Sequence, residues 1–197
     1  MLLFLAALLV SAAAGAAGRD ADWPCQQIKV PELSLAAVWS GPSVDPRQTN
    51  WQDDPQVADL SRTLASRRTP VDQAHALVHD FAQHEAERKQ PRLLALLAGV
   101  FNLLDTERDS VLAGLDRFGG RQKELAAKIR SDNERLQALQ AEPSSNPDAT
   151  QQLAQQLTWE VELFQDRRQA ISYACDAPAK IEQRLFALAH QIQQELD

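Results

Sequence analysis

Apolar residues recur at alternating spacings of four and three along two long segments of matched length. In the first, positions 97, 101, 104, 108, 111, 115, 118, 122, 125, 129, 132, 136 and 139 carry ten apolar residues out of thirteen, in a chain that is 44% apolar overall. In the second, positions 153, 157, 160, 164, 167, 171, 174, 178, 181, 185, 188, 192 and 195 follow the same rule, with Glu160, Arg167 and Glu195 as charged lapses. Alternation of three and four is the seam of a helix packed lengthwise on another helix. Residues 142–148, Glu-Pro-Ser-Ser-Asn-Pro-Asp, are turn formers lying between the segments. The pattern predicts a long antiparallel helical hairpin with its tip near 142–148.

The first long helix is expected to start at Pro91. Its run Leu93-Leu94-Ala95-Leu96-Leu97-Ala98 is apolar on nearly every side and has to be surrounded. Beyond Gly120 the pattern thins to a single seam among charged residues, which fits contact with one partner helix only. Gly119-Gly120 predicts a flexible or kinked point, because each glycine weakens a helix by roughly 1 kcal/mol. Pro178 predicts a kink or short break with Asp176 available as a cap, since Ala174, Pro178 and Ile181 keep phase.

Two shorter helices precede the hairpin. Asp54-Pro55 is an N-cap followed by proline at the first helical position, opening a helix over about 55–67. Thr69-Pro70-Val71-Asp72 reads as a capping box for a second helix running to about Gln90, with Ala74, Leu77, Val78 and Phe81 as its buried stripe. Residues 18–54 hold four prolines and three tryptophans, too many prolines for a long helix and too many tryptophans for a free tail. This arm reads as a strap over the bundle, with one helical turn at Leu35–Trp39 after Ser34. The fold class predicted is all-α: a helical-bundle body over 55–197, a coiled-coil hairpin projecting from it, and an irregular N-terminal arm.

Polar residues interrupt the seam at Arg108, Gln122, Asp132, Glu160 and Arg167. Such groups lower stability but fix register and alignment. A hairpin pivoting near Ser145 puts Gln122 near Arg168 and Asp132 near Thr158.

The first 17 residues change the compartment. The apolar run at 2–10 is too short to span a bilayer, and Ala14-Gly15-Ala16 fits a secretory cleavage site. No Lys or Arg precedes the run; the basic part of such a signal would lie upstream of Met1 if the start is misassigned. The competing reading is an uncleaved anchor or buried helix. Export to the periplasm or medium, with no membrane span after signal removal, is the expectation. It makes Cys25 and Cys175, the chain's two cysteines, a candidate disulfide. The pair would pin the arm to the second long helix. Without a C-x-x-C spacing, a metal or redox role is the weaker reading.

The net charge of −7 argues against a nucleic-acid partner. Asp72, His75 and His79 fall within about 60° on one helix face and are metal candidates by residue type. The bland reading is a solvated flank, because the buried stripe lies elsewhere and Asp72 already serves as a capping residue. No phosphate loop, zinc signature, haem-attachment site or nucleophile motif is present, and no cofactor is expected.

Asp22-Trp23-Pro24-Cys25 and Tyr173-Ala174-Cys175, followed by residues 182–188, resemble exported, mostly helical proteobacterial proteins of unassigned function. The resemblance covers most of the mature chain and implies no activity. Three functions compete. An interaction protein would use the hairpin on an envelope or secreted partner. A bundle module would hold a small apolar ligand in a cavity lined by Leu93, Leu97, Phe101 and Phe186. A chaperone with coiled-coil arms is less favoured, because such arms usually come from oligomers; a monomer is slightly preferred here. A metalloenzyme is the outsider.

Overall fold

The computed structural model describes residues 22–84 and 88–196. The expected signal segment, 1–17, lies outside the described residues. Five helices follow the arm: α1 Pro55–Ala65, α2 Val71–Gln83, α3 Lys89–Ala141, α4 Pro147–Cys175 and α5 Ala177–Gln194. No strand occurs among the described residues, and none of the helices is long and apolar enough to cross a membrane.

The starts of the helices follow local chemistry. Asp54 accepts from the amides of Gln56 and Val57, and Pro55 occupies the first position of α1. Asn146 caps α4 through the Asp148 amide, again with proline behind it. The capping box expected at Thr69 does not form. Pro70 is the N-cap of α2, and the Thr69 hydroxyl instead donates to the Thr63 carbonyl at 2.8 Å. That bond closes the α1–α2 turn, a use that outcompetes the cap. Helix α1 ends at Ala65, short of 67, and α2 ends at Gln83, well before Gln90. Helix α3 starts at Lys89, not Pro91; the proline sits in its first turn, where its missing N–H has no partner to lose. The arm's expected turn is a short 3₁₀ segment, Leu35–Ala37.

Helices α1, α2, α5 and the first half of α3 form a four-helix body. Its core holds Leu64, Val78, Leu93, Leu96, Leu97, Leu104, Leu185, Leu188 and Ile192, all fully buried. Each such side chain contributes roughly 1.5–3 kcal/mol of transfer free energy. Trp39 and Trp51 of the arm close this core from outside, so the strap is part of the hydrophobic unit. A Cβ on Gly99 would lie 2.3 Å from the Ser61 hydroxyl, which is how closely α1 approaches α3.

From Leu115 onward α3 leaves the body and pairs with α4. At 1.5 Å per residue, the 29 residues of α4 give a stalk of about 40 Å. The expected kink at Gly119-Gly120 is absent; α3 is helical without interruption through both glycines. The physical reason lies in the arm. Gly119 is buried beneath the Asp22 carbonyl, so this glycine serves packing and not bending. At the other junction the chain does pause. Helix α4 ends at Cys175 and α5 restarts after Asp176, whose carbonyl accepts from the Lys180 amide while its side chain caps nothing.

Candidate functional site: the stalk and its neck

Every polar lapse in the seam has a definite surrounding. Arg108 is 1% exposed. Its Nε donates to Glu182 of α5 at 2.6 Å and its Nη2 to the Val30 carbonyl of the arm. One guanidinium thus ties three segments together where body becomes stalk. Gln122 donates to the Phe164 carbonyl at 3.3 Å. Within α4 that carbonyl points toward the backbone of Arg168, the neighbour expected from a pivot at Ser145. Asp132 lies one turn along α3 from Lys128. It accepts from Lys128, whose ammonium also donates to Glu160 at 2.6 Å. Those two carboxylates, Asp132 first, hold the Lys128 ammonium above its ordinary pKa. Glu160 is 4% exposed, and Gln156 donates to the same oxygen that Lys128 uses. Its second oxygen is buried without a hydrogen-bond partner. Arg167 is half-buried and forms no hydrogen bond or ion pair with the described residues.

The stalk half-buries one seam, with Glu160 its one buried residue beyond Gly119, and leaves apolar surface on both sides of it. On one flank Ala126 and Val161 join the seam residues Ile129 and Phe164 in lining an open groove of about 260 Å³. On the outer side of α4, about 130° from the seam centre at 100° per residue, Trp159 is 61% exposed. A tryptophan left that open on a two-helix stalk has no intramolecular packing to account for it.

The neck is fastened covalently. Cys25 and Cys175 form a disulfide with Cα atoms 5.6 Å apart. Lys29–Asp116 and Lys123–Asp22 ion pairs, both near 3 Å, line up along the same edge of α3. The arm therefore holds α3 from Arg108 to Lys123, α4 through Cys175, and, by way of Arg108, Glu182 of α5.

The metal candidates do not assemble. Asp72 is exposed in the first turn of α2. His75 is half-buried, with its Nε2 unpartnered, and His79 Nδ1 lies 3.0 Å from Glu195. Glu195, a charged lapse of the seam, is thereby held by His79 and by Gln191. No group of three or more metal-binding side chains occurs among the described residues. The apolar cavity expected in the body is also not formed by its four expected residues. Leu93, Leu97 and Phe101 are packed in the core, and Phe186 is 56% exposed, stacked near His190. Besides an open groove of about 620 Å³ between α1 and α2, the body has one of about 460 Å³ lower down, at the neck. No periodicity could have shown it, since its walls come from four helices.

No family model matches this chain, and neither a curated protein nor a solved structure does.

Proposed function

We propose that the protein is an exported, helical interaction protein that presents its two-helix stalk to an envelope or secreted partner. The observation that carries this reading is the stalk's unspent apolar surface: Trp159 on one side, the Ile129–Phe164 groove on the other. Isolated exposed apolar residues are common, but an open tryptophan and an apolar groove on one slender projection suit a partner surface. Export is supported by the N-terminal apolar run with its small-residue cleavage pattern, and by a disulfide as the chain's single cysteine pair. The partner chemistry that fits is an amphipathic helix laid along the stalk, reading its groove with an apolar stripe.

The experiment places a photo-crosslinking amino acid at position 159 or 129, and at the body control position 73, in cells that make the protein. Both stalk positions should trap one discrete partner of the same mass, and the body position should not. Trapping from position 73 alone would move the interaction to the body. N-terminal sequencing of the mature protein should begin near Ala17; a chain that keeps Met1 would remove the export argument.

A further inference from the structure

The groove at the neck has a composition the stalk lacks. Its apolar lining is Val71, exposed at the start of α2, above the buried side chains of Leu104 and Ile181. Its rim carries Arg67, Lys180 and Arg184 against one acid, Glu107. Tyr173 overhangs it, 80% exposed, from the last turn of α4. The volume of about 460 Å³ falls in the usual range for small-ligand sites.

The charges are not equally available. Arg67 Nε pairs with Glu107 at 2.5 Å, so those two largely cancel. Arg184 directs Nε and Nη2 at the Leu64 carbonyl, in the last turn of α1, and keeps Nη1 uncommitted. Burial pulls this guanidinium below its ordinary pKa, with Glu107 only partly opposing. The Lys180 ammonium has no hydrogen bond or ion pair among the described residues. In a protein of net charge −7, this is a local excess of positive charge beside bare apolar surface. Val71 adds to that surface, being more than a third exposed at the start of α2.

We infer that the neck groove is a binding site for an amphiphilic carboxylate, with the head group between Lys180 and Arg184 and the alkyl portion against Val71, over the buried Leu104 and Ile181. A monoanion is favoured over a dianion because Glu107 stands on the same rim. A neutral amphiphile gains the apolar lining but leaves the cations unanswered. Tyr173, with an apolar ring and a polar tip, is suited to close over the ligand where its two halves join. The site is independent of the stalk surface: Trp159 and Ile129 take no part in it.

The test uses the oxidised full chain with methyl labels on Val, Leu and Ile, titrated with octanoate, octyl phosphate and octanol. Octanoate should bind saturably and shift the methyl signals of Val71, Leu104 and Ile181. Lys180→Glu should weaken octanoate about tenfold, the scale of a lost charge contact. Glu107→Gln should tighten it, by removing the rim acid and releasing Arg67. A gain of affinity cannot come from a damaged fold, so this variant guards against a trivial loss. Equal binding of octanol and octanoate would overturn the proposal, as would Glu107→Gln weakening the complex. Tighter binding of octyl phosphate than of octanoate would reassign the anion and refute the carboxylate.

Discussion

The carbonyl oxygen of Asp22 occupies the place a side chain on Gly119 would need: a Cβ there would lie 1.6 Å from it. Gly120, one residue on, has only the Asp22 carboxylate at 3.9 Å, which is ordinary contact. The two adjacent glycines should therefore answer the same substitution with opposite signs. Gly119→Ala should push the arm off α3 and lower stability by about 2 kcal/mol, as overpacking does. Gly120→Ala should raise stability by roughly 0.5–1 kcal/mol through helix propensity alone. Urea unfolding of the two variants would check this; equal effects would mean the arm does not rest on Gly119.

Asp54 joins two helices through one carboxylate. It caps α1 and also accepts from Arg92 in the first turn of α3 at 2.9 Å. Burial pushes its carboxyl up, but the Arg92 hydrogen bond and the Val57 and Gln56 amides outweigh that and hold it below the ordinary value of 3.8. Asp54→Ala should cost about 2 kcal/mol at neutral pH, a cap plus a charge-assisted bond. A group whose folded pKa is depressed stabilises above its unfolded pKa and loses that contribution as pH falls through the folded one. The difference between variant and parent should therefore fade below about pH 3.8. A difference that persists unchanged in acid would point to packing and not charge.

Asp105 shows the reverse sign. Burial, with Asp109 in second place, raises its carboxyl above 3.8, and its Oδ1 is buried without a hydrogen-bond partner. Holding it charged destabilises the fold once pH exceeds the folded pKa, and the penalty disappears below the unfolded one. Asp105→Asn should raise the melting temperature at pH 7, by up to ~1 kcal/mol in stability after solvent screening. Below 3.8 the two proteins should converge. Thermal scans across that range would measure it.

The periodicity carried the hairpin, its turn and the pause near Pro178, because Ile181, Leu185, Leu188 and Ile192 keep one phase and all four are buried. It misplaced the inner face of α3 near the neck. Leu112 and Gly119 are buried where the seam named Val111 and Phe118, which are only half-buried. A heptad rule assumes one helical partner, and here the arm packs on a second side. The same limit hid the neck groove. Arg67, Glu107 and Lys180 lie on segments far apart in sequence, and nothing in their local spacing signals convergence. Thr69 failed as a cap because a more distant carbonyl, that of Thr63, was within reach.

Removing the covalent link isolates what the arm does. The disulfide closes a span of 150 residues, for which chain entropy gives at most about 5 kcal/mol. A double Cys→Ser variant should unfold at markedly lower denaturant yet keep its helical spectrum, since the core of the body does not include either cysteine. A loss of helix in buffer would show that the arm is required to assemble the bundle.

The position of that bond matters mechanically. Cys175 is the last residue of α4, one step before the chain pauses at Asp176 and enters the body. A rod joined to its base through such a pause would swing there under a sideways load on its tip. The Cys25 linkage, with Asp22 seated on α3 directly opposite, braces the rod from both sides at its root. Force on the tip is then delivered to the strap and to α3 before it can pry α5 from the core. The protein is built as a cantilever clamped at its support, and reduction of one bond would turn that clamp into a pivot.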